Sequence, residues 1–411
     1  MRHKLIKRFF NYLAIPSQSD AKTTTLPSSQ GQYELAKLLE QELLELELEN
    51  VLLQDNAILT AKLKGNTPNI KSIGFCAHLD TVDVGLSPVI KPQILKYTGT
   101  PLLLNQDQQI WIDPQTHPEL NLYLNEEIIF SDGTSILGAD NKSAISIIMC
   151  LLESLISSNE PRGDVYVCFL PDEEIGLRGA KALDLKDFPA DYAYTIDCCQ
   201  KGELVYETFN AGSAIIEIKG ISAHPMNAKG ILVNPTLIAV DIANCLDRLQ
   251  TPENTQSNEG YIWLNEIHSD QNNASMLLQI RDHHKTLYEE KKLYLQEVVS
   301  LIQKRYPKAS IQLKLEDIYH NIKDSMTSDE ALKLLKEAFK NAQVEEKVIC
   351  MRGGTDGSAL SAKGLFVPNF FTGAHNFHSR FEFLPISSFE ASFEVARQIV
   401  HLAANSFPKN P

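Results

Sequence analysis

Three stretches of this 411-residue chain share one pattern: SIGFCAHLDT from Ser72, VYVCFLPDEEIG from Val165 and YAYTID from Tyr192. Each runs through a short, almost unbroken apolar segment and then turns abruptly to histidine or acid. A strand with no polar alternation is one buried on both faces, as in a sheet covered by helices on either side. Helical segments precede and separate these strands. Gln30–Leu46 is amphipathic, and the run GADNKSAISIIMCLLESLI from Gly138 reads as a buried helix that Asp140 or Asn141 is placed to cap. Alternation of this kind gives an α/β domain with a mixed, mainly parallel sheet.

The texture changes near Asn210. Strands are expected at Ala214–Gly220, Gly260–Ile267, Ser275–Asp282 and Ser310–Tyr319, and helices at Pro235–Leu249 and His284–Tyr306. Their order, βαββαβ, is the split arrangement of a small α+β sandwich. The α/β texture then resumes, with helices over 331–342, from 355 and over 389–404, and strands over 348–351 and 365–371. The chain is also too long for one ordinary core. The expected organisation is therefore an α/β domain formed by 1–209 and 321–411, interrupted by a smaller α+β domain over 210–320. The stretch from Val84 to Ser131, rich in Pro, Gln and Asn, is an excursion with small strands, of a length associated with lids or binding loops.

A net charge of −14 opposes binding to nucleic acid or an anionic membrane. No apolar run approaches the roughly 18 residues of a membrane span. The start, MRHKLIKRFFNYLAIP, reads as a basic amphipathic helix and not as a signal peptide. Seven scattered cysteines without a repeated CxxC pattern fit reduced thiols in a cytoplasmic protein.

Chemistry concentrates just past the strand ends, at His78 with Asp80, Asp140, Glu173 with Glu174, Asp197 and His378. That edge of an open α/β sheet is where ligands bind. Taken singly, each position has an ordinary explanation: a surface His–Asp pair, a helix cap, a solvated strand end, a surface histidine. Together they are the hard and borderline ligands of a metal site, in which Asp80 would orient His78 and the two oxygens of Asp140 would bridge two cations. ISAHPMNAKG places His224 after the first strand of the inserted domain, and MRGGTDGSAL places Arg352 and Asp356 at a strand-to-helix turn suited to an anion. Nucleotide-binding glycine patterns, a GxSxG elbow and a cysteine-protease context are all missing.

The motifs HLDT, GADNKSA, PDEE, ID followed by KGELVYETFNA, AHPMNAKG, RGGTDG and HNFH occur in this order along the whole chain. In this the sequence resembles the tripeptide-aminopeptidase branch of the M20 zinc metallopeptidase family. The resemblance implies an α/β catalytic domain interrupted by a lid, with two Zn²⁺ per subunit; Co²⁺ or Mn²⁺ suit the same donors. Carried over by position, it implies that His78, Asp140, Asp197, Glu174 and His378 bind metal, with Asp140 as the bridge. It makes Glu173 the general base, Asp80 the partner of His78, and His224 the lid histidine that meets the developing oxyanion. Arg281 and Arg352 would hold the free carboxylate of a short peptide. The implied reaction is removal of the N-terminal residue of a tripeptide by a water held between the cations; dipeptides or N-acyl amino acids are the alternative substrates. A homodimer through the lid is one implied assembly. Cys198 and Cys199 depart from the family pattern, where glycines are common, and Asn141 stands where a second aspartate is common.

Overall fold

The structure, a computed structural model, describes residues 1–406. They fall into two units: Met1–Tyr206 with Ser325–Ile349 and the chain from Thr355, and Glu207–Asp324 with Cys350–Gly354.

The first unit is built on a mixed sheet of eight strands. Across it the order is Glu49–Leu53, Leu59–Leu63, Val165–Leu170, Ile73–His78, Tyr192–Cys198, Asn369–Phe371, Glu203–Thr208 and Lys347–Met351. The four central strands, from Val165–Leu170 to Asn369–Phe371, run parallel. Antiparallel pairs flank them on both sides. The central strands are those read from the sequence as apolar runs. They are covered by the helix Ala139–Ser158, which packs on the strands ending at His78 and Cys198 and against the helices Arg2–Leu13 and Ile386–Ser406. Burial along Ile73–His78 is complete, so the strand offers no polar face to water until its last residue.

Differences from the expected elements have local causes. The predicted strand over 365–371 shortens to Asn369–Phe371, because Pro368 has no N–H to give a ladder; its carbonyl still accepts from Thr195 N at 3.2 Å. Within the second unit the helix expected to run to Leu249 ends at Cys245, where Asp247 Oδ1 captures Leu249 N at 2.9 Å and turns the chain. The stretch from Val84 to Ser131 is not structureless. Gln93–Lys96 and Glu127–Phe130 form a three-stranded antiparallel sheet with Phe383–Pro385, and Leu102–Asn105 pairs with Ile110–Ile112. Tyr97, Ile112, Leu120, Tyr123, Phe130 and Phe383 close a small core of its own.

The second unit is the expected βαββαβ sandwich. Its antiparallel sheet has the order Tyr261–Ser269, Asn273–Asp282, Asn210–Lys219, Ser310–Tyr319. Ala274, Met276, Leu278 and Ile280 alternate with half-buried residues, so one face of the sheet is apolar. The helices Pro235–Cys245 and Lys285–Arg305 cover it, burying Ile238, Ile242, Leu295 and Ile302. Each such side chain stabilises the fold by roughly 1.5–3 kcal/mol on removal from water. Asn234 caps the first of these helices by accepting from Thr236 N at 3.0 Å and Leu237 N at 3.3 Å, with Pro235 at its first position.

Candidate active site

His78 is the last residue of a buried strand and is itself only 2% exposed. Its Nδ1 lies 3.0 Å from the Asp80 carbonyl oxygen and 3.3 Å from Asp80 Oδ1, so a proton on Nδ1 is held there. That leaves the Nε2 lone pair facing Asp140 Oδ1 at 2.8 Å and Asp197 Oδ1 at 3.7 Å. A lone pair facing carboxylate oxygens needs a proton or a cation between them. The second oxygen of Asp140 faces a different histidine: His378 Nε2 is 3.1 Å from Asp140 Oδ2 and 3.0 Å from Glu174 Oε1. One carboxylate thus serves two nests, His78–Asp140–Asp197 and Asp140–Glu174–His378, with donor atoms in each within 4.8 Å of one another. His78, Glu173 and Glu174 make a third such group.

Asp140 owes its place to a backbone that is not yet helical. Gly138 has φ 74°, and Asp140 and Asn141 have φ/ψ of −79°/98° and −125°/20°. Neither side chain caps the helix, contrary to the sequence expectation, because both are committed to the sheet edge. Asn141 accepts from His78 N at 3.3 Å and donates to Ile196 O at 2.7 Å and Asp197 Oδ1 at 2.9 Å, tying three elements together. Glu382 accepts from Leu137 N and Gly138 N, both at 2.8 Å, and from Asp140 N at 3.1 Å. The sequence carried no local sign of Glu382's part.

The three acids of PDEE have separate surroundings. Asp172, in the left-handed region at φ 55°, turns back into the protein, where its carboxylate accepts from Ser28 N at 2.8 Å, from Gln32 Nε2 at 2.7 Å and from Ser28 Oγ. Its own N–H donates to Gln32 Oε1 at 2.8 Å. Asp80, besides facing His78, accepts from Glu173 N at 2.9 Å and Glu174 N at 3.2 Å. The same carboxylate therefore aligns the imidazole and the backbone that presents the two glutamates.

Electrostatics show what the cluster lacks. Burial and the nearby Asp140 charge raise Glu174 to about 7 and Asp197 to about 6. Burial also carries Glu173 well above the carboxylate range, only partly offset by His78. For His378, burial lowers the pKa, but hydrogen bonds to Asp140 and Glu174 outweigh it and lift it to about 11. Both carboxylate oxygens of Asp356 are buried without a hydrogen-bond partner, and this carboxylate feels the charges of His78 and Asp197. Acid in this excess, with imidazole lone pairs turned toward it, fits divalent cations of the Zn²⁺, Co²⁺ or Mn²⁺ type.

The remaining predicted residues lie in the second unit. His224 is exposed, and its Nδ1 accepts from Met226 N at 3.2 Å, so the neutral ring carries its proton on Nε2. Arg281 donates to Gly212 O at 2.8 Å, Ile280 O at 2.9 Å and Gln279 Oε1 at 3.1 Å. Arg352 donates to Glu259 O at 2.8 Å, Ser257 O at 3.3 Å and Thr255 Oγ1 at 2.7 Å, and lies over the rings of Phe209 and Tyr261. Both guanidinium groups thus brace the unit they belong to. In the first unit, burial raises the thiols of Cys198 and Cys199, which keeps them neutral, while their carbonyls accept from Thr372 N at 2.8 Å and Gly373 N at 2.9 Å.

The family model for peptidase family M20/M25/M40 matches residues 138–402. The chain belongs to this peptidase family. As an M20 peptidase it is 51% identical to a peptidase T-like protein of Yersinia pestis, over 99% of both chains. It is 39% identical to peptidase T of Caldanaerobacter subterraneus over 97% of this chain and 98% of the relative. Among solved structures, aminopeptidase PepT of Bacillus cereus superposes on the M20 chain with a TM-score of 0.78 at 21% identity, covering 98% of this chain and 99% of the other. A dinuclear metal-binding M20 peptidase of Bacillus subtilis superposes with a TM-score of 0.68 at 14% identity and 99% coverage of both chains.

Proposed function

We propose that this M20 peptidase is a two-zinc aminopeptidase that removes the N-terminal residue from tripeptides. The observation that carries the reading is Asp140, whose two oxygens face two different histidines in two overlapping ligand groups. His78, Asp140 and Asp197 would hold one cation, and Asp140, Glu174 and His378 the other. The pair, when bound, would polarise the scissile carbonyl and acidify a water. Asp80 keeps the proton of His78 on Nδ1 and so keeps Nε2 available. Glu173, aligned through its backbone by Asp80, takes the proton from the attacking water and passes it to the leaving amine. Its buried setting, which raises its proton affinity, suits both halves of that transfer.

In this reading His224 donates its Nε2 proton to the developing oxyanion. Arg281 and Arg352 recognise the peptide carboxylate through guanidinium hydrogens not given to backbone carbonyls. The end-to-end likeness to peptidase T proteins supports a tripeptide substrate. Seven unpaired cysteines support a cytoplasmic setting, and no helix among the described residues is long and apolar enough to cross a membrane. A second copy of the chain, joined through the lid, is the proposed partner: the edge strand Tyr261–Ser269 leaves Trp263 and Ile267 exposed.

The test is a panel of tripeptides, dipeptides and N-acetyl amino acids, assayed with and without a chelator and read by the amino acid released. Release of the N-terminal residue from tripeptides, lost on chelation and restored by Zn²⁺, is expected. Glu173→Ala should lose at least a thousandfold in kcat while retaining two metals per chain. Preferential cleavage of N-acetyl amino acids would overturn the assignment.

A further inference from the structure

His378 sits at the tip of a loop with its side chain 46% exposed and its backbone in the left-handed region at φ 60°. Little in its own neighbourhood explains why it stays within reach of Asp140 and Glu174. The loop is closed at its base by paired backbone hydrogen bonds, His375 N to Phe383 O at 2.9 Å and Phe383 N to His375 O at 3.1 Å. Both limbs of that base are then gripped by the Val84–Ser131 excursion. On one limb, Tyr123 OH meets His375 Nε2 at 2.7 Å, and the imidazole is stacked on Phe383 with ring centres 4.8 Å apart. Burial keeps His375 neutral, lowering it to about 4, so the contact is one hydrogen bond between an uncharged imidazole and a phenol. On the other limb, Phe383 pairs in register with Phe130 of the excursion's sheet. Between base and tip, Asn376, also left-handed at φ 58°, donates to Glu119 Oε1 at 2.6 Å and to Phe381 O at 3.3 Å.

We infer that the excursion is the mount of the second cation site, with Tyr123 and Glu119 as positioning residues that hold the His375–Phe383 loop so that His378 meets Asp140 and Glu174. Apart from the shared Asp140–His378 contact, the first ligand group meets that loop only through Glu382. His78 and Asp197 end strands of the central sheet, and Asp140 is fixed through Glu382, next to the Phe383 backbone pairing that neither Tyr123 nor Glu119 makes. Loss of the brace therefore weakens one cation and spares the other. The inference rests on the two-cation reading above.

The experiment counts zinc per chain by mass spectrometry while free Zn²⁺ is buffered over a wide range, for the parent, Tyr123→Phe, Glu119→Ala, Glu119→Gln and the Tyr123→Phe/Glu119→Ala double variant. Tyr123→Phe keeps the ring that fills the excursion's core, and Glu119 lies near the surface, so the fold is retained; the melting curve of each chelated variant checks this. The double variant is expected to bind the first equivalent like the parent and the second at least tenfold more weakly. Glu119→Gln should behave as the parent, because an amide carbonyl also accepts from Asn376. A double variant with unchanged second-equivalent affinity, or one weakened equally for both equivalents, overturns the brace. A parent that takes up fewer than two equivalents overturns the two-cation reading and this inference with it.

Discussion

At the scale of single residues, the site stores carboxylates that only a cation makes comfortable. Burial, with Asp140 as the next contributor, lifts Asp197 to about 6, Glu174 to about 7 and Glu382 to about 8. Each returns to an ordinary carboxylate value on unfolding, so the metal-free native state holds extra protons at mildly acid pH. Stability from these groups is complete below about pH 4 and is lost as pH rises through their native values. His375, lowered by burial to about 4, acts in the opposite sense between about pH 4 and 6.5, and Lys142, lowered by burial to about 7, does so above that pH. The chelated protein should therefore be less stable at pH 7 than at pH 5.5 by about 1–3 kcal/mol, read from urea midpoints, since each excess native proton is worth about 1.4 kcal/mol per pH unit. Saturating Zn²⁺ should remove that slope; a chelated midpoint that stays flat or rises with pH would contradict the charge balance described for the site.

At the scale of elements, the parts legible in the sequence were those with a local signature. Apolar runs ending in HLD, PDEE and ID gave the central strands and the candidate ligand residues at their tips, and the βαββαβ order gave the sheet of the second unit. The hairpin of Glu49–Leu53 and Leu59–Leu63 went unread because its composition is mixed and polar, and the strand Glu203–Thr208 because it also finds its partner Asn369–Phe371 far along the chain. The supports of the site were hidden for the same reason. Tyr123 meets His375 across 252 residues and Glu382 meets Asp140 across 242, and pairings at such separation leave no pattern in either segment. Asp172 was legible only as an acid too many; the structure makes it the clamp between the strand ending at Leu170 and the segment Ser28–Gln32. Asp172→Ala would strand Ser28 N–H and the Gln32 amide inside the protein, at a cost of about 2–4 kcal/mol. A lowered urea midpoint with Zn²⁺ stoichiometry intact is the expected result, whereas loss of metal at unchanged stability would assign Asp172 to the site itself.

At the scale of the whole molecule, the two units differ in how the chain supplies them. All four strands of the second unit's sheet come from one uninterrupted stretch between Asn210 and Tyr319, and the proposed partnership between two copies uses that unit alone. Sedimentation velocity of the purified chain should show a dimer, and Trp263→Glu on the edge strand should convert it to a monomer with its metal retained. A monomeric parent at micromolar concentration would remove the partner from the proposal.

The sheet order carries a consequence for the chain as it is made. Asn369–Phe371 is inserted between Tyr192–Cys198 and Glu203–Thr208, and the loop bearing His378 follows it directly. During synthesis from the N-terminus the second unit can close its own sheet first, while the large sheet waits with a gap beside the strand that carries Asp197. Until that late strand docks, a ribosome-bound chain has one histidine of the pair and no second nest. The Asp140–Glu174–His378 group is therefore among the last parts of the molecule to be assembled.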